Sequence, residues 1–375
     1  MDHGGDMLIG VVKEIKDREN RVALTPEGVA MLVHHGHAVR IEHGAGQGAG
    51  ISDADYEAVG AQLSDTAGAW DTDIVLKVKE PQAVEYRYLK QNILFTFLHL
   101  AGVSVELTRA FLRARTTAIA YETVEDQDHR FPLLAPMSAI AGNMAVVIGS
   151  YYLARTNGGK GVQPGQIQQA RHGKIMVLGD GVVGQHAAMT ADGMGANVYL
   201  FGRSRKKYQT LADIWPNEIM FVDSTQDNIR RHICDTDLVI GAVLIPGARA
   251  PRLVTEEMVM QMQTGSVLVD VSIDQGGCME TARPTTHSDP VYVKHGVIHY
   301  CVSNMPGAYP RTATQALTHA TLPYVMKLAQ HGLQALQTDS GFSQGVNTFN
   351  GYITCKQVAA ALDLQFQFRE FTVIL

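Results

Sequence analysis

The stretch that most narrows what this chain can fold into runs from Lys174 to Phe201. The apolar run KIMVLG leads into GDGVVG, continues as VGQHAAMTADGMG with helical spacing, and ends in a second apolar run, NVYLF. Gly179, Gly181 and Gly184 thus fall in G-x-G-x-x-G spacing after a strand and at the opening of a helix. The spacing alone is weak, because glycines recur in loops by chance, but the strand–turn–helix–strand context is the one the motif requires. The plain alternative is a set of structural glycines. Under the functional reading Gly179 permits the tight turn, Gly181 lets backbone N–H groups approach a pyrophosphate, and Gly184 allows close helix–strand packing. The helix N-terminus adds a favourable field for phosphate.

The end of the second strand bears on which dinucleotide is meant. An Asp or Glu usually stands there to accept from the ribose 2′-hydroxyl. Here the sequence reads Gly202, Arg203, Ser204, Arg205, Lys206, Lys207, with no carboxylate in the run. Arginine forks suit bidentate phosphate recognition, and Ser204 adds a donor. The expectation is tolerance of, or preference for, NADP(H), against the alternative of an exposed basic loop.

The rest of the chain repeats the α/β style. LIGVVKE, HAVRIEH, DIVLKVK, ILFTFLHL and TTAIAYETV read as strands, and TPEGVAMLVHHG as a helix with Thr25 as N-cap, Pro26 in the first turn and Gly36 as stop. DLVIGAVLI, GSVLVDVSI and GVIHYCVSN continue the pattern beyond Phe201, and from about Pro306 the chain turns helical through TATQALTHATLPYVMKLAQHG. The fold class expected is α/β, with two Rossmann-like doubly wound domains. The substrate domain is discontinuous, 1–135 plus 308–375, and the dinucleotide domain, 136–307, is inserted in it. Residues 155–173 are read as a Gly/Gln-rich connector, and the last thirty residues carry little signal.

Length and composition agree with this. A chain of 375 residues with 46% hydrophobic residues supports two sizeable cores. A net charge of -6 gives no global attraction for nucleic acid or an anionic membrane. Cys234, Cys278, Cys301 and Cys355 lack CxxC spacing, which points to a reducing, cytoplasmic setting. MDHGGD is not a signal peptide and precedes a first strand starting near Met7. No charge occurs between Arg130 and Arg155, but Pro132, Pro136, Ser138, Asn143 and Ser150 favour a buried helix packed against another domain over a membrane span. No zinc spacing, Walker loop, HExxH or Ser-His-Asp order appears, and no metal is expected.

Six residues are candidates for the chemistry on the substrate side. Arg21 precedes a helix in ENRVALTPEG, where it either clamps a substrate carboxylate or pairs at the surface with Glu19 or Glu27. Lys77 and Lys79 lie near the carboxyl end of an apolar strand, where α/β sheets gather ligands; snorkelling to solvent is the alternative. His99 lies in an otherwise apolar run, so it is either a core residue or a proton-transfer group. Asp270 and Asp274 follow one buried-type strand, with Asp274 beside two glycines and better exposed. The histidines at 34, 35 and 37 are read as solvated.

Taken in order, ENRVALTPEGV, ISDADYEAVGAQL, LKVKEPQ, ILFTFLHLA, LLAPMSAIAG, DLVIGAVLIPGARAPRLV, LVDVSIDQGGC and YCVSNMPG resemble the alanine dehydrogenase family, over almost the whole stretch from Met7 to His331. The transhydrogenase α-subunit shares the fold. The resemblance implies reversible oxidative deamination of L-alanine to pyruvate and ammonium with NAD(H), in a cytoplasmic homohexamer. It also implies that Arg21 and Lys77 hold substrate, with His99 and Asp274 as the acid/base pair. Besides the glycine loop, Arg203, Ser204 and Arg205, it implies cofactor contacts at Ser138, Val182, Val183, Lys207, Ser224, Val243, Leu244, Val271, Ser272, Ile273, Asp274, Arg283, Val302, Ser303, Asn304 and Met305. The chain departs from the family at Gly202, where the ribose-binding Asp is usual, and at Ala139 and Asn143, where Glu and Arg are common. The connector GVQPGQIQQARHG departs as well. Three other readings stand beside this one. They are NADPH-dependent reduction of another oxo acid or imine, a non-catalytic dinucleotide sensor, and, more distantly, hydride exchange between nucleotides.

Overall fold

A computed structural model describes residues 6–215, 218–244 and 250–371, apart from the side chains at 207, 211 and 214. Lys207 is therefore placed by its backbone alone, and residues 245–249 of the LIPGARAP motif lie outside the described residues. The chain divides into two compact units, Met1–Met137 with Tyr309–Leu375, and Ser138–Ala308.

The first unit opens with β1 (Leu8–Val11), β2 (Ala38–Glu42), β3 (Gln62–Ser64), β4 (Ile74–Leu76), β5 (Ile93–Thr96) and β6 (Thr117–Ala120), in the sheet order β6-β5-β4-β1-β2-β3, all parallel. Their inward runs are continuous rather than alternating, as a sheet covered on both faces requires: β4, β5 and β6 are buried at every position. The helix Pro26–His34 starts as its sequence dictates, with the Thr25 hydroxyl accepting from the Gly28 N–H and Pro26 in the first turn.

The second unit contains a short hairpin of β7 (Gly165–Ile167) and β8 (Ala170–His172) where the sequence suggested only a connector. Arg171 fastens it to the rest of the unit through ion pairs of 2.8 Å to Asp192 and to Glu218. The main sheet comprises β9 (Lys174–Leu178), β10 (Asn197–Gly202), β11 (Met220–Asp223), β12 (Leu238–Gly241), β13 (Val267–Asp270), β14 (Val291–Lys294) and β15 (Val297–Tyr300), in the order β11-β10-β9-β12-β13-β15-β14. Only β14 runs antiparallel. The strand order reverses between β10 and β12, flanking β9, so the glycine loop after β9 sits at the switch point where α/β sheets bind ligands.

The uncharged segment is the helix Ala135–Leu153, and no described helix is long and apolar enough to cross a membrane. Its portion from Ser138 packs inside the second unit. A Cβ at Gly142 would strike the Val183 carbonyl at 2.3 Å, and one at Gly149 the Leu238 side chain at 2.5 Å. Small residues at these two positions let the helix lie directly on Val182–Met194 and on β12.

After Ala308 the chain re-enters the first unit through the helix Pro310–His331. The last thirty residues, nearly silent as sequence, extend its sheet with β16 (Val346–Phe349), antiparallel to β6, and β17 (Tyr352–Ile353). Both units are thus parallel-dominated α/β sheets with Rossmann-like strand order.

Candidate functional site

In the first unit the ends of β1, β4, β5 and β6 gather a cluster of buried charge. Strand β4 stops at Leu76, so Lys77 and Lys79 lie just past its end rather than within it, and neither snorkels: Lys77 is 0% and Lys79 8% exposed. The Lys77 ammonium is held by Glu85 at 2.9 Å and Glu14 at 3.2 Å, with the Trp70 ring 5.8 Å away. Glu14 also accepts from the N–H groups of Val78 (2.6 Å) and Lys79 (3.2 Å), which ties the Lys77 backbone to the loop after β1. Burial pulls the ammonium pKa down, but the two carboxylates outweigh it and hold Lys77 above the ordinary lysine range. Burial raises Glu14 above the usual carboxylate range despite Lys77 beside it. The cluster is thus a charged cation locked in place.

Arg21 pairs with Glu19, the partner suggested for a surface arginine, but the pair is buried, with Arg21 2% exposed. Its Nε and Nη2 donate to the two carboxylate oxygens at 2.7 and 2.5 Å, and Nη1 to the Met137 Sδ at 3.1 Å. The loop carrying Arg21 is completed from the far end of the chain. The Thr314 and Thr318 hydroxyls, on the helix Pro310–His331, accept from the N–H groups of Val22 and Thr25 at 3.1 Å each. An unpaired buried N–H is costly, so the two threonines hold this loop.

His99 is not a core residue, although its apolar surroundings in the sequence favour one. Its side chain is 46% exposed, on a left-handed residue (φ 47°) beyond the end of β5. The Glu122 carboxylate, just after β6, fixes it: Oε1 accepts from the His99 N–H at 2.6 Å and lies 3.8 Å from Nδ1, and the Leu98 N–H is 3.2 Å from either oxygen. The imidazole stacks on Phe97 at 5.8 Å. Reading the sequence missed Glu14, Glu85 and Glu122. The available signal was a glutamate just beyond the carboxyl end of a buried parallel strand, at Glu14 and at Glu122.

In the second unit the glycines act as their spacing suggests. Gly179 has φ +117°, and a Cβ there would lie 2.4 Å from the Ala242 carbonyl; one at Gly184 would lie 1.8 Å from the Gly179 carbonyl. Gly181 has open space around it, so a phosphate can approach the backbone amides at the start of the helix Val182–Met194. This cradle of glycines with a helix N-terminus fits a dinucleotide pyrophosphate.

The loop after β12 lies against the glycine loop at Gly179, and the loop after β13 is bonded to it in turn. Ser272 exchanges hydrogen bonds with Val243, whose N–H and carbonyl lie 3.0 and 2.8 Å from the hydroxyl. Asp270 is buried but partnered, accepting from Ser272 and Cys278 N–H groups at 3.0 and 2.9 Å; burial still raises its pKa to about 6. Asp274 is exposed on the 3-10 turn Val271–Gln275 and accepts from the Asn304 N–H at 3.3 Å, joining the Val302–Met305 stretch to this turn. Arg283 lays its guanidinium on Tyr292 at 4.1 Å. Arg203 and Arg205 are exposed, and Arg205 lies over the Phe221 ring at 5.2 Å. Ser224 donates its N–H to the Gly202 carbonyl at 2.9 Å. Ser138 is half-buried early in the helix Ala135–Leu153, and Asn143 on that helix accepts from the Thr190 hydroxyl at 2.8 Å. A carboxylate does stand at the end of β10, although none occurs in the run after it: Asp180, from the glycine loop, reaches the Arg203 and Ser204 N–H groups at 3.1 and 3.3 Å.

Comparison with known proteins agrees with this geometry. Residues 10–141 match the model of the alanine dehydrogenase/PNT N-terminal domain, and residues 145–356 that of the C-terminal domain. "Alanine dehydrogenase 2" of Staphylococcus aureus (strain USA300) is 47% identical over 365 residues, 96% of this chain and 98% of the relative. A solved L-alanine dehydrogenase superposes with a TM-score of 0.91 at 48% identity, over 96% of this chain and 100% of that one. A transhydrogenase from Sinorhizobium meliloti superposes with a TM-score of 0.78 at 27% identity, over 93% and 99%. With matches spanning nearly its whole length, the chain belongs to the alanine dehydrogenase/PNT family.

Proposed function

We propose that the chain is an L-alanine dehydrogenase, catalysing reversible oxidative deamination of L-alanine to pyruvate and ammonium with a nicotinamide dinucleotide. The observation that carries this reading is the Lys77 ammonium, fully buried at the carboxyl end of β4 and held charged by Glu14 and Glu85. Substrate belongs to the first unit (1–135 with 308–375) and dinucleotide to the second (136–307). Arg21 and Lys77 take the substrate carboxylate, and Lys77 polarises the carbonyl of pyruvate in the reverse direction. When bound, the nicotinamide accepts hydride from the substrate Cα. Water must then add to the substrate imine and ammonia must leave, and both steps move protons. The proposal gives that transfer to His99, which is exposed on a backbone fixed by Glu122, and gives Asp274 the assisting role by family resemblance. The glycine loop takes the pyrophosphate, bordered by Ser138, Val182, Val183, Ser224, Val243, Leu244, Arg283 and the 271–274 and 302–305 segments. The cofactor reading is NAD(H); any use of NADP(H) would rest on Arg203, Ser204, Arg205 and Lys207. A cytoplasmic homohexamer completes the proposal by family resemblance.

The test is formation of reduced nicotinamide from L-alanine, with NAD and NADP in parallel. Turnover supports the proposal, and silence with both despite dinucleotide binding moves the weight to another oxo acid, an imine or a sensor. His99→Asn should lower kcat by about 10²–10⁴ while dinucleotide affinity stays near wild type. Unchanged turnover would remove His99 from the mechanism.

A further inference from the structure

We infer that Asp180, the second residue of the glycine loop, replaces the missing acid at position 202 as the reader of the adenosine ribose, and makes the chain select NAD(H) over NADP(H). The inference rests on the proposal that the second unit binds a nicotinamide dinucleotide at this loop. In such folds the ribose hydroxyls are met by a carboxylate at the end of the second strand. Here that strand, β10, ends in Gly202, and the carboxylate comes from the neighbouring loop instead. Asp180 Oδ2 accepts from the N–H groups of Arg203 and Ser204, the two residues that follow β10, so the negative charge stands where the family's acid would carry it.

The two positions exclude each other. A Cβ at Gly202 would lie 2.6 Å from Asp180 Oδ2 and 2.8 Å from Asp180 Cβ, far inside contact distance. A side chain at 202 and Asp180 in its observed place cannot coexist, so the glycine is the space the displaced carboxylate needs. Two charge-assisted bonds from backbone amides orient the carboxylate before any ligand arrives. A ribose hydroxyl can donate to it, whereas a 2′-phosphate brought against it meets like charge. The basic residues beside it do not decide the matter: Arg203 is exposed at the rim, and Arg205 lies over Phe221.

The experiment measures dissociation constants of NADH and NADPH, by nucleotide fluorescence without substrate, for the wild-type chain, Asp180→Asn and the exchange variant Asp180→Gly/Gly202→Asp. Asparagine keeps the amide bonds to Arg203 and Ser204 but removes the charge. Wild type should prefer NADH. Asp180→Asn should weaken NADH about tenfold, as loss of one charge-assisted bond does, and leave NADPH unchanged or tighter. The exchange variant should recover NADH binding, since its clash with Asp180 is relieved and the remaining close neighbour, the Phe221 ring at 2.7 Å, is half-buried and can turn. Equal weakening of both nucleotides, an unaltered NADH constant, or a wild type that prefers NADPH would each overturn the inference and leave the dinucleotide reading intact. A wild type that binds neither nucleotide would overturn both.

Discussion

The two units build their candidate ligand sites from different materials. In the first, Lys77 and Arg21 are buried cations whose positions depend on Glu14, Glu85 and Glu19. In the second, the glycine loop is shaped by backbone against backbone, with Gly184 packed on the Gly179 carbonyl and no charge needed. A site of paired charges fails when one partner is removed; a site of backbone shape fails when an atom is added.

The strongest way to break this comparison is Lys77→Met. It leaves Glu14 and Glu85 without their buried cation and should cost about 3–5 kcal/mol in stability, together with activity on L-alanine. Denaturant unfolding checks this, and a loss below about 1 kcal/mol would mean that the cluster is solvated.

A pH experiment asks whether the second unit carries charge effects of its own. The Asp270 pKa is raised by burial to about 6 and the His299 pKa lowered by burial to about 4. Native Asp270 holds its proton to higher pH than the unfolded chain does, so its contribution to stability falls between pH ~4 and 6. Native His299 resists protonation, so its contribution rises between pH ~4 and 6.5. Each spans roughly 3 kcal/mol, and the two oppose. Asp270→Asn should therefore make stability climb with pH over this window, and His299→Gln should make it fall. Parallel Tm profiles for the two variants would contradict the assignment.

Gly184→Ala adds one methyl group and no charge. It should cost about 1–3 kcal/mol as overpacking and abolish dinucleotide binding, read by nucleotide fluorescence. Near-normal binding would show that the loop has room to give. The smallest effect belongs to Asn143→Ala, which removes one exposed bond to Thr190 and should cost about 1 kcal/mol or less.

The same contrast explains what could be read from the sequence. Strands, the Thr25 cap and the glycine loop depend on local spacing and backbone sterics, which a sequence displays. Lys77 and Glu14 are 63 positions apart, and Val22 meets Thr314 across 292. Those pairs exist only once the sheet has set its order. Asp180 was hidden for a related reason: the acid expected on one strand was supplied by the loop of its neighbour. The apolar neighbours of His99 left a core place and an exposed one both open, because the backbone reversal that turns it outward leaves no mark in the composition. The last strands were missed because β17, only two residues long, carries no periodic signal.

The threonine bonds to the Arg21 loop set an order of assembly on the ribosome. The second unit is one continuous segment, complete as soon as Ala308 has been made. The first unit begins earlier yet must wait, since the hydroxyls that hold Val22 and Thr25 are synthesised nearly three hundred residues after them. Translation that stops before Thr314 therefore leaves a chain able to form its dinucleotide fold while the loop bearing Arg21 still lacks its supports.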